Sequence, residues 1–299
     1  MKKTETLVEK ACREVAGFSN VYRKLEQKII LSSHSRSTFT NYGRKLAHLC
    51  FHFNALPHEV SDEQINEYLV RLAQSAKTPS RSAFKHTIYG LRYYFRFMNL
   101  PQRALILPVL PNENKLPEVL SKQECKRLFA APDILKQKIL LSMIYSAGLR
   151  SGELCRLKIS DIDSGRMMIH IRRAKGCKDR YVPLSKNLLS GLREYYKLYN
   201  PQVYLFNGKE IGTSYSPSGL RWIMQESVKK ARILKKVCVH TLRHSYATHL
   251  LEDGLDIVTI KELLGHECIE STMIYLHIAR PEKRNAFSPF DTLYDETQP

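Results

Sequence analysis

The chain of 299 residues is long for one domain and ample for two, and a 43% apolar content supports ordinary buried cores rather than disorder. Lys and Arg total 47 against 29 Asp and Glu, a net charge of +18, which points to a polyanionic partner, nucleic acid before an acidic membrane surface. The seven cysteines include no C-x-x-C pair, which argues against a disulfide scaffold or a zinc ribbon and for reduced thiols in a cytosolic protein.

The charge is spread along the chain, about +8 over residues 1–100 and about +10 over the rest, so both halves are expected to meet the partner. A plain solvated surface is the alternative. No apolar h-region follows "MKKTETLVEK" and no apolar run approaches the roughly 18 residues of a span, so neither secretion nor membrane insertion is expected.

The first hundred residues read as helices. "SRSTFTNYGRKLAHLCFHF" offers Ser35 or Ser37 as a cap, then Phe39, Tyr42, Leu46 and Cys50 at helical spacing. "SDEQINEYLVRLAQS" opens with Ser61 as N-cap and acidic residues in its first turn, suited to the positive end of a helix. In "SRSAFKHTIYGLRYYFRFMNL", Arg81, Lys85, Arg92 and Arg96 alternate with aromatics. That helix is either a core face with a solvated back or a basic helix laid on a phosphate backbone. Residues 1–20 carry no assignable role.

"PQRALILPVLPNENKLP", residues 101–117, holds four prolines and reads as an extended interdomain linker, set at 104–117 between helical domain 21–103 and a second domain over 118–285. The second domain opens at Ser121 with Glu124 three positions on, a capping-box pattern. "DILKQKILLSMIYSAG" is a mostly apolar helix ended by Gly148, and "GELCRLKISDID" a short helix running into a turn. "RMMIHIRR" and "RYVPL" alternate as strands and, joined by "AKGCKD", form a hairpin. Helices follow at 186–199, about 217–232, 240–252, 256–265 and 270–279. The expected fold is mainly α, with one small antiparallel sheet and a C-terminal tail over 286–299.

The polar residues that carry chemistry are scattered in sequence. Arg150 follows the helix-ending glycine, and Lys175 lies in the hairpin turn. His240 and Arg243, three apart, share a helix face. His266 follows Gly265, and Tyr275 lies nine residues later. Each alone has an ordinary reading as a solvated or packed side chain. Together they suit a phosphodiester. Two guanidiniums can grip non-bridging oxygens with planar, charge-assisted hydrogen bonds. Histidines can donate to phosphate or move protons, and a tyrosine hydroxyl surrounded by cations is a better nucleophile.

The segments "AGLRSGELCRLKISDID", "KGCKDRYVPL", "HTLRHSYATHLLEDGLDIVTIKELLGHE" and "YLHI" resemble, in order and spacing, the tyrosine recombinases of the phage integrase family, most closely its compact Xer-like members, over residues from about 30 to 285. The resemblance implies a two-domain DNA clamp, with a helical SAM-like core-binding domain followed by the catalytic domain. It implies that Arg150 and Arg243 hold the scissile phosphate and that Lys175 protonates the leaving 5′-hydroxyl. His240 would assist proton transfer at the nucleophile, His266 would hydrogen-bond the phosphate, and Tyr275 would attack to leave a 3′-phosphotyrosyl bond. Glu153 would act from behind, orienting Arg150 or His266. The pattern K-G-x-K/R-x-R favours Lys175 over Lys178 as the tip residue. Arg172, Arg173, Lys178 and Arg180 then read as contacts to the DNA backbone.

The implied partners are double-stranded DNA carrying specific sites and a homotetramer on paired sites, alone or with a related recombinase. No cofactor or metal is expected, and the expected location is the bacterial cytoplasm at the nucleoid. His240 and His244 have the i, i+4 spacing of a zinc helix, but Thr241 stands where a zincin needs Glu and Arg243 would repel a cation. His244, one turn past His240, either supports the site from behind or packs, and His249 packs or is solvated. The alternatives weighed are a type IB topoisomerase, which uses similar chemistry on one duplex, and a catalytically silent DNA-binding relative, against which the intact set of six residues argues.

Overall fold

The computed structural model describes residues 5–31, 36–74, 81–109, 116–172, 179–210 and 212–279, with only the backbone of Arg36, Arg81 and Ser82. Arg173, Lys175 and Lys178 at the hairpin tip, and the tail after residue 279, lie outside the described residues. The chain divides into two compact units, Met1–Glu113 and Asn114–Pro299.

The first unit is built from α1 (Leu7–Glu14), α2 (Phe18–Leu31), α3 (Arg36–Phe53), α4 (Asp62–Gln74), α5 (Arg81–Phe97) and α6 (Pro101–Ile106). Its core joins Leu25, Leu46, Leu49, Ile88, Leu91 and Tyr94, one stripe from each of the longer helices. Residues 7–18, without a role in the sequence, add Ala11, Val15 and Phe18 to it. Ser61 caps α4 as expected, its Oγ accepting from Gln64 N at 3.3 Å.

The proline-rich stretch departs from expectation. Pro101 opens α6 instead of starting an extended segment, because a helix's first turn needs no N–H donor there. Arg103 fixes this helix: Nε donates to Asp62 Oδ1 at 2.6 Å, Nη2 to Val60 O at 2.6 Å, and the guanidinium lies 4.6 Å from the Phe95 ring centre. Arg92, expected on a DNA backbone, instead donates to the carbonyls of Leu107 and Pro108 at 3.1 and 2.8 Å, where the chain leaves α6.

The second unit carries α7 (Lys122–Ala130), α8 (Leu135–Ala147), α9 (Ser151–Arg156), a 3₁₀ turn at Ile159–Asp161, and strands β1 (Ile162–Asp163), β2 (Met168–Ile171) and β3 (Arg180–Pro183). Then come α10 (Lys186–Tyr199), α11 (Pro217–Lys230), α12 (Val239–Glu252), α13 (Ile257–Leu264), α14 (Glu270–Met273) and α15 (Leu276–Ala279). The antiparallel sheet has the order β1-β2-β3, with Ile169 opposite Val182 and Ile171 opposite Arg180. The hairpin was expected; the short β1 beside it was not. Ser121 and Glu124 form the reciprocal capping box at the start of α7.

Helix α8 is mostly apolar after its first turn and correspondingly central, with Leu140, Leu141, Met143, Ile144 and Ala147 buried in the core. It packs against α12, which buries ten of its fourteen residues. Gly148 ends α8 in the left-handed region at φ +58°. A Cβ there would lie 2.6 Å from the Tyr246 ring and 3.1 Å from Leu264. Among the described residues no helix is long and apolar enough to cross a membrane.

Gly148→Ala combines a disfavoured backbone with a contact that the packed Tyr246 ring cannot yield to, so a loss of about 1–3 kcal/mol of stability is expected. The urea midpoint should fall at constant slope; an unchanged midpoint would show that Tyr246 moves aside freely.

Candidate active site

The polar interior of the second unit is organised by helix ends. The last carbonyls of an α-helix have no internal partner and lie at the negative end of its dipole, which favours cations. At the end of α8, Gly148 O accepts from Arg243 Nη1 at 2.6 Å. At the end of α13, Leu264 O accepts from Arg243 Nη2 at 2.6 Å, Leu263 O from Arg180 Nε at 2.8 Å and Gly265 O from Arg150 Nη2 at 3.0 Å. Three guanidiniums from α12, β3 and the N-cap of α9 therefore converge on two helix C-termini.

Glu153, in the first turn of α9, balances them. Its Oε1 accepts from Arg150 Nη1 at 2.8 Å and Arg180 Nη1 at 3.0 Å, and its Oε2 from Arg180 Nη2 at 2.8 Å and the Arg150 backbone N at 2.9 Å. Arg243 Nη1 stands 3.9 Å from Oε2. Burial opposes the charge of this carboxylate, but the hydrogen bonds and charge of Arg180, then the bonds to Arg150, outweigh it and hold its pKa down to about 2. Arg243 is 0% exposed. Burial and the neighbouring charge of Arg150 weaken its hold on a proton, yet a guanidinium stays protonated at neutral pH. Three cations against one carboxylate leave the cluster net positive.

Tyr275 is expected within one continuous helix over 270–279. The structure instead breaks the helix between α14 and α15, and Tyr275 occupies the break, its N–H bonded to Thr272 O three residues back. This tighter turn, common where helices end or are interrupted, buries the ring to 1% exposure. Its hydroxyl meets His244 Nδ1 at 3.0 Å. Burial raises the phenol pKa and the charges of Arg243 and Arg150 lower it; burial prevails and the net shift is upward. Without substrate the phenol is protonated.

The imidazoles are held neutral. His266, just after α13, is pushed down to about 3 by burial, then by the charges of Arg243 and Arg150. Its Nδ1 is 2.9 Å from the buried Thr272 hydroxyl, which leaves Nε2 as the ring's second polar atom. His244 is lowered to about 4 by burial, then by His240 and Arg243. His240 opens to solvent in the first turn of α12; partial desolvation and the charges of Arg243 and Arg150 still keep it below its ordinary value. The rings of His240 and His244 meet edge to face with centres 4.6 Å apart.

Arg150, Glu153, His240, Arg243, His266 and Tyr275 thus belong to one region, as the motifs suggest, while Lys175 lies outside the described residues. The places of Arg180, His244 and Thr272 are not legible from sequence spacing. Arg180, expected on a DNA backbone, has only 8% of its side chain exposed and is committed to Glu153 and Leu263; its place opposite Ile171 on β3 turns it inward. Glu153 meets Arg150, one of the two partners the resemblance implies for it, and Arg180 as well. His244 touches Tyr275, a pairing across 31 residues that no local spacing reveals; its i, i+4 relation to His240 is the only hint. Thr272 was not singled out at all. His249 packs as expected, bonded at Nδ1 to Tyr145 Oη at 2.8 Å. Among the side chains expected at DNA, Arg172 is half exposed, its Nε on Asp161 Oδ1 at 2.5 Å, and Lys85 is half-buried. No cluster of three potential metal ligands occurs among the described residues.

A net-positive cluster that brings a buried tyrosine into the field of two guanidiniums suits chemistry on anionic esters, here on a mainly helical, two-unit scaffold. Residues 118–282 match the phage integrase family. A tyrosine recombinase of Thermosipho africanus is 34% identical over 268 residues, covering 85% of this chain and 93% of that protein. The crystal structure of XerA recombinase, 28% identical, covers 90% of this chain and 99% of its own with a TM-score of 0.54. The XerH recombinase in a post-cleavage complex with a palindromic difH substrate shares the fold, at a TM-score of 0.70 and 19% identity, over 95% of this chain and 94% of its own. The chain belongs to the phage integrase family and is a tyrosine-type site-specific recombinase that breaks and rejoins DNA. These matches do not favour the topoisomerase alternative.

Glu153→Gln removes the counter-charge shared by three guanidiniums, two of them buried, and should cost about 3 kcal/mol at pH 7. The carboxyl's folded pKa, about 2, is below its ordinary 4.5. Its stabilisation is therefore complete above about pH 4.5 and is lost as pH falls towards 2. The stability gap between wild type and Glu153→Gln should hold from neutral pH down to about 5 and narrow below it; a gap constant to pH 2.5 would contradict the charge balance.

Proposed function

We propose that the second unit cleaves one DNA strand by attack of Tyr275 on a phosphate held by Arg150 and Arg243. The observation that carries this reading is the Tyr275 hydroxyl, buried yet within the field of both guanidiniums, in a cluster with more cations than carboxylates. Preorganised donors of this kind strengthen as negative charge develops on the pentacoordinate phosphorus, contributing about 3–4 kcal/mol each. The buried Nε of Arg243 has no acceptor among the described residues, consistent with a side chain built for an anion.

In this assignment Lys175 protonates the leaving 5′-oxygen, His240 assists proton transfer at the nucleophile, and His266 Nε2 donates to the phosphate. Neutral His266 donates from Nε2 when Nδ1 accepts from Thr272. The strand stays linked as a 3′-phosphotyrosyl ester until a second 5′-hydroxyl displaces the tyrosine, so no ATP or metal enters the balance.

The helical unit serves as the core-binding domain and closes with the catalytic domain around the duplex. Arg81, Lys85, Arg172, Arg173 and Lys178 remain candidates for backbone contacts. Recombination joins two sites, so a homotetramer on paired sites, alone or with a related recombinase, is the acting form at the bacterial nucleoid. Integration, excision, inversion and dimer resolution all run on this one reaction.

Tyr275→Phe should bind DNA as wild type does and form no denaturant-resistant adduct on a nicked duplex that traps the covalent intermediate. An adduct with this variant would remove Tyr275 as nucleophile. Affinity should drop roughly 1,000-fold between about 50 and 200 mM salt if about six phosphates are contacted; a flat response would contradict the clamp.

A further inference from the structure

Among the described residues, His244 is the side chain in hydrogen-bond contact with the Tyr275 hydroxyl. Its Nδ1 lies 3.0 Å from Tyr275 Oη, whereas His240, to which family resemblance gives the proton step, touches the face or edge of His244. The direction of the bond follows from what surrounds it. A protonated imidazole is disfavoured here by burial and by the neighbouring His240 and Arg243, and the phenol keeps its hydrogen. The phenol O–H therefore donates, Nδ1 accepts, and the ring carries its own hydrogen on Nε2.

We propose that His244 is a catalytic residue, the base that takes the Tyr275 proton during strand cleavage and returns it during strand joining. This rests on Tyr275 being the nucleophile. In cleavage the Oη–P bond forms and the P–O5′ bond breaks; the Oη hydrogen moves to His244 Nδ1, and the departing O5′ takes a hydrogen from a separate acid, Lys175 in the family assignment. In joining, an incoming 5′-hydroxyl attacks phosphorus and gives its hydrogen to Lys175. The P–Oη bond breaks and the phenolate recovers its hydrogen from His244.

Resting His244 is a weak base beside a weak acid, so transfer ahead of attack is steeply uphill. The hydrogen moves as the Oη–P bond forms, when the phenol oxygen becomes acidic and the phosphorane's negative charge favours imidazolium. The same contact fixes the phenol's orientation, since the side chain at the interruption between α14 and α15 has its one polar atom anchored to α12.

The test measures single-turnover formation of the covalent adduct on a nicked duplex carrying the site recovered by sequencing DNA covalently bound to the wild-type protein. Two variants separate proton transfer from mere orientation. His244→Leu removes the acceptor, while His244→Asn keeps an oxygen near the position of Nδ1 that can accept the hydrogen bond but cannot hold the proton. Both should melt and bind the duplex as wild type does, and both should form adduct slower by about 100-fold or more, the usual contribution of a positioned base. His244→Leu at wild-type speed, or full rescue by His244→Asn, would overturn the proposal.

A duplex with sulfur replacing the bridging O5′ gives a second readout, because a thiolate leaves without a proton. Lys175→Ala should be rescued on it and the His244 variants should not; rescue of the His244 variants would place the ring at the leaving group instead. If wild type forms adduct, Tyr275→Phe does not, and His244→Leu matches wild type, the proposal falls and the recombinase mechanism stands. Adduct formation by Tyr275→Phe would remove the mechanism and this proposal together.

Discussion

The site depends on the Glu153 carboxylate being shared between guanidiniums that come from different elements. Arg150 is on the same turn of α9, Arg180 arrives from the sheet and Arg243 from α12, and none could be buried there without a counter-charge. One carboxylate cannot neutralise three cations, and the remaining compensation comes from carbonyls at the ends of α8 and α13. Carbonyl dipoles orient and solvate a guanidinium without cancelling its charge. The cluster is therefore fixed in position yet still positive, which is the electrostatic condition for receiving a phosphodiester without reorganising at the moment of reaction.

That arrangement explains why two left-handed glycines flank the site. Gly148 and Gly265 turn the chain sharply at the ends of α8 and α13, exposing the terminal carbonyls sideways to Arg243 and Arg150. A side chain at Gly148 would strike Tyr246, and one at Gly265 would press on Arg180 at 3.1 Å. The glycines are thus tied to the catalytic geometry through packing as well as through backbone conformation.

How much of this can be read from the chain depends on the range of the interaction. Features fixed within a few residues were legible: the cap at Ser121, the stop at Gly148, the hairpin alternation, and the His240–Arg243 pair on one face of α12. The grouping of Arg150, His266 and Tyr275 with them came from motif order, since their separations in sequence are too long for spacing to decide. Arg180 was misplaced for a related reason. A basic residue in a basic strand looks solvated unless its buried carboxylate partner, 27 residues away, is known. Pro101 was over-read as a break because proline excludes a helix interior but suits a first turn. The interruption at Tyr275 left no proline or glycine to announce it; burial of the ring against α12 overrides local helical preference there.

The burial of Tyr275 also bears on control. A phenol with a raised pKa, held by a neutral imidazole and 1% exposed, is a poor nucleophile toward any phosphate met in passing. Under the proposed assignment, a phosphodiester seated on Arg150 and Arg243 would change that state, its negative charge favouring an imidazolium at His244 while it brings an electrophile to Oη. On that proposal, substrate binding would supply the charge that activates the base as well as the atom to be attacked. Reactivity would then be coupled to correct seating of the phosphate through the same guanidiniums that Glu153 holds in place, so the structural anchor of the site and the proposed trigger of its chemistry would be one network.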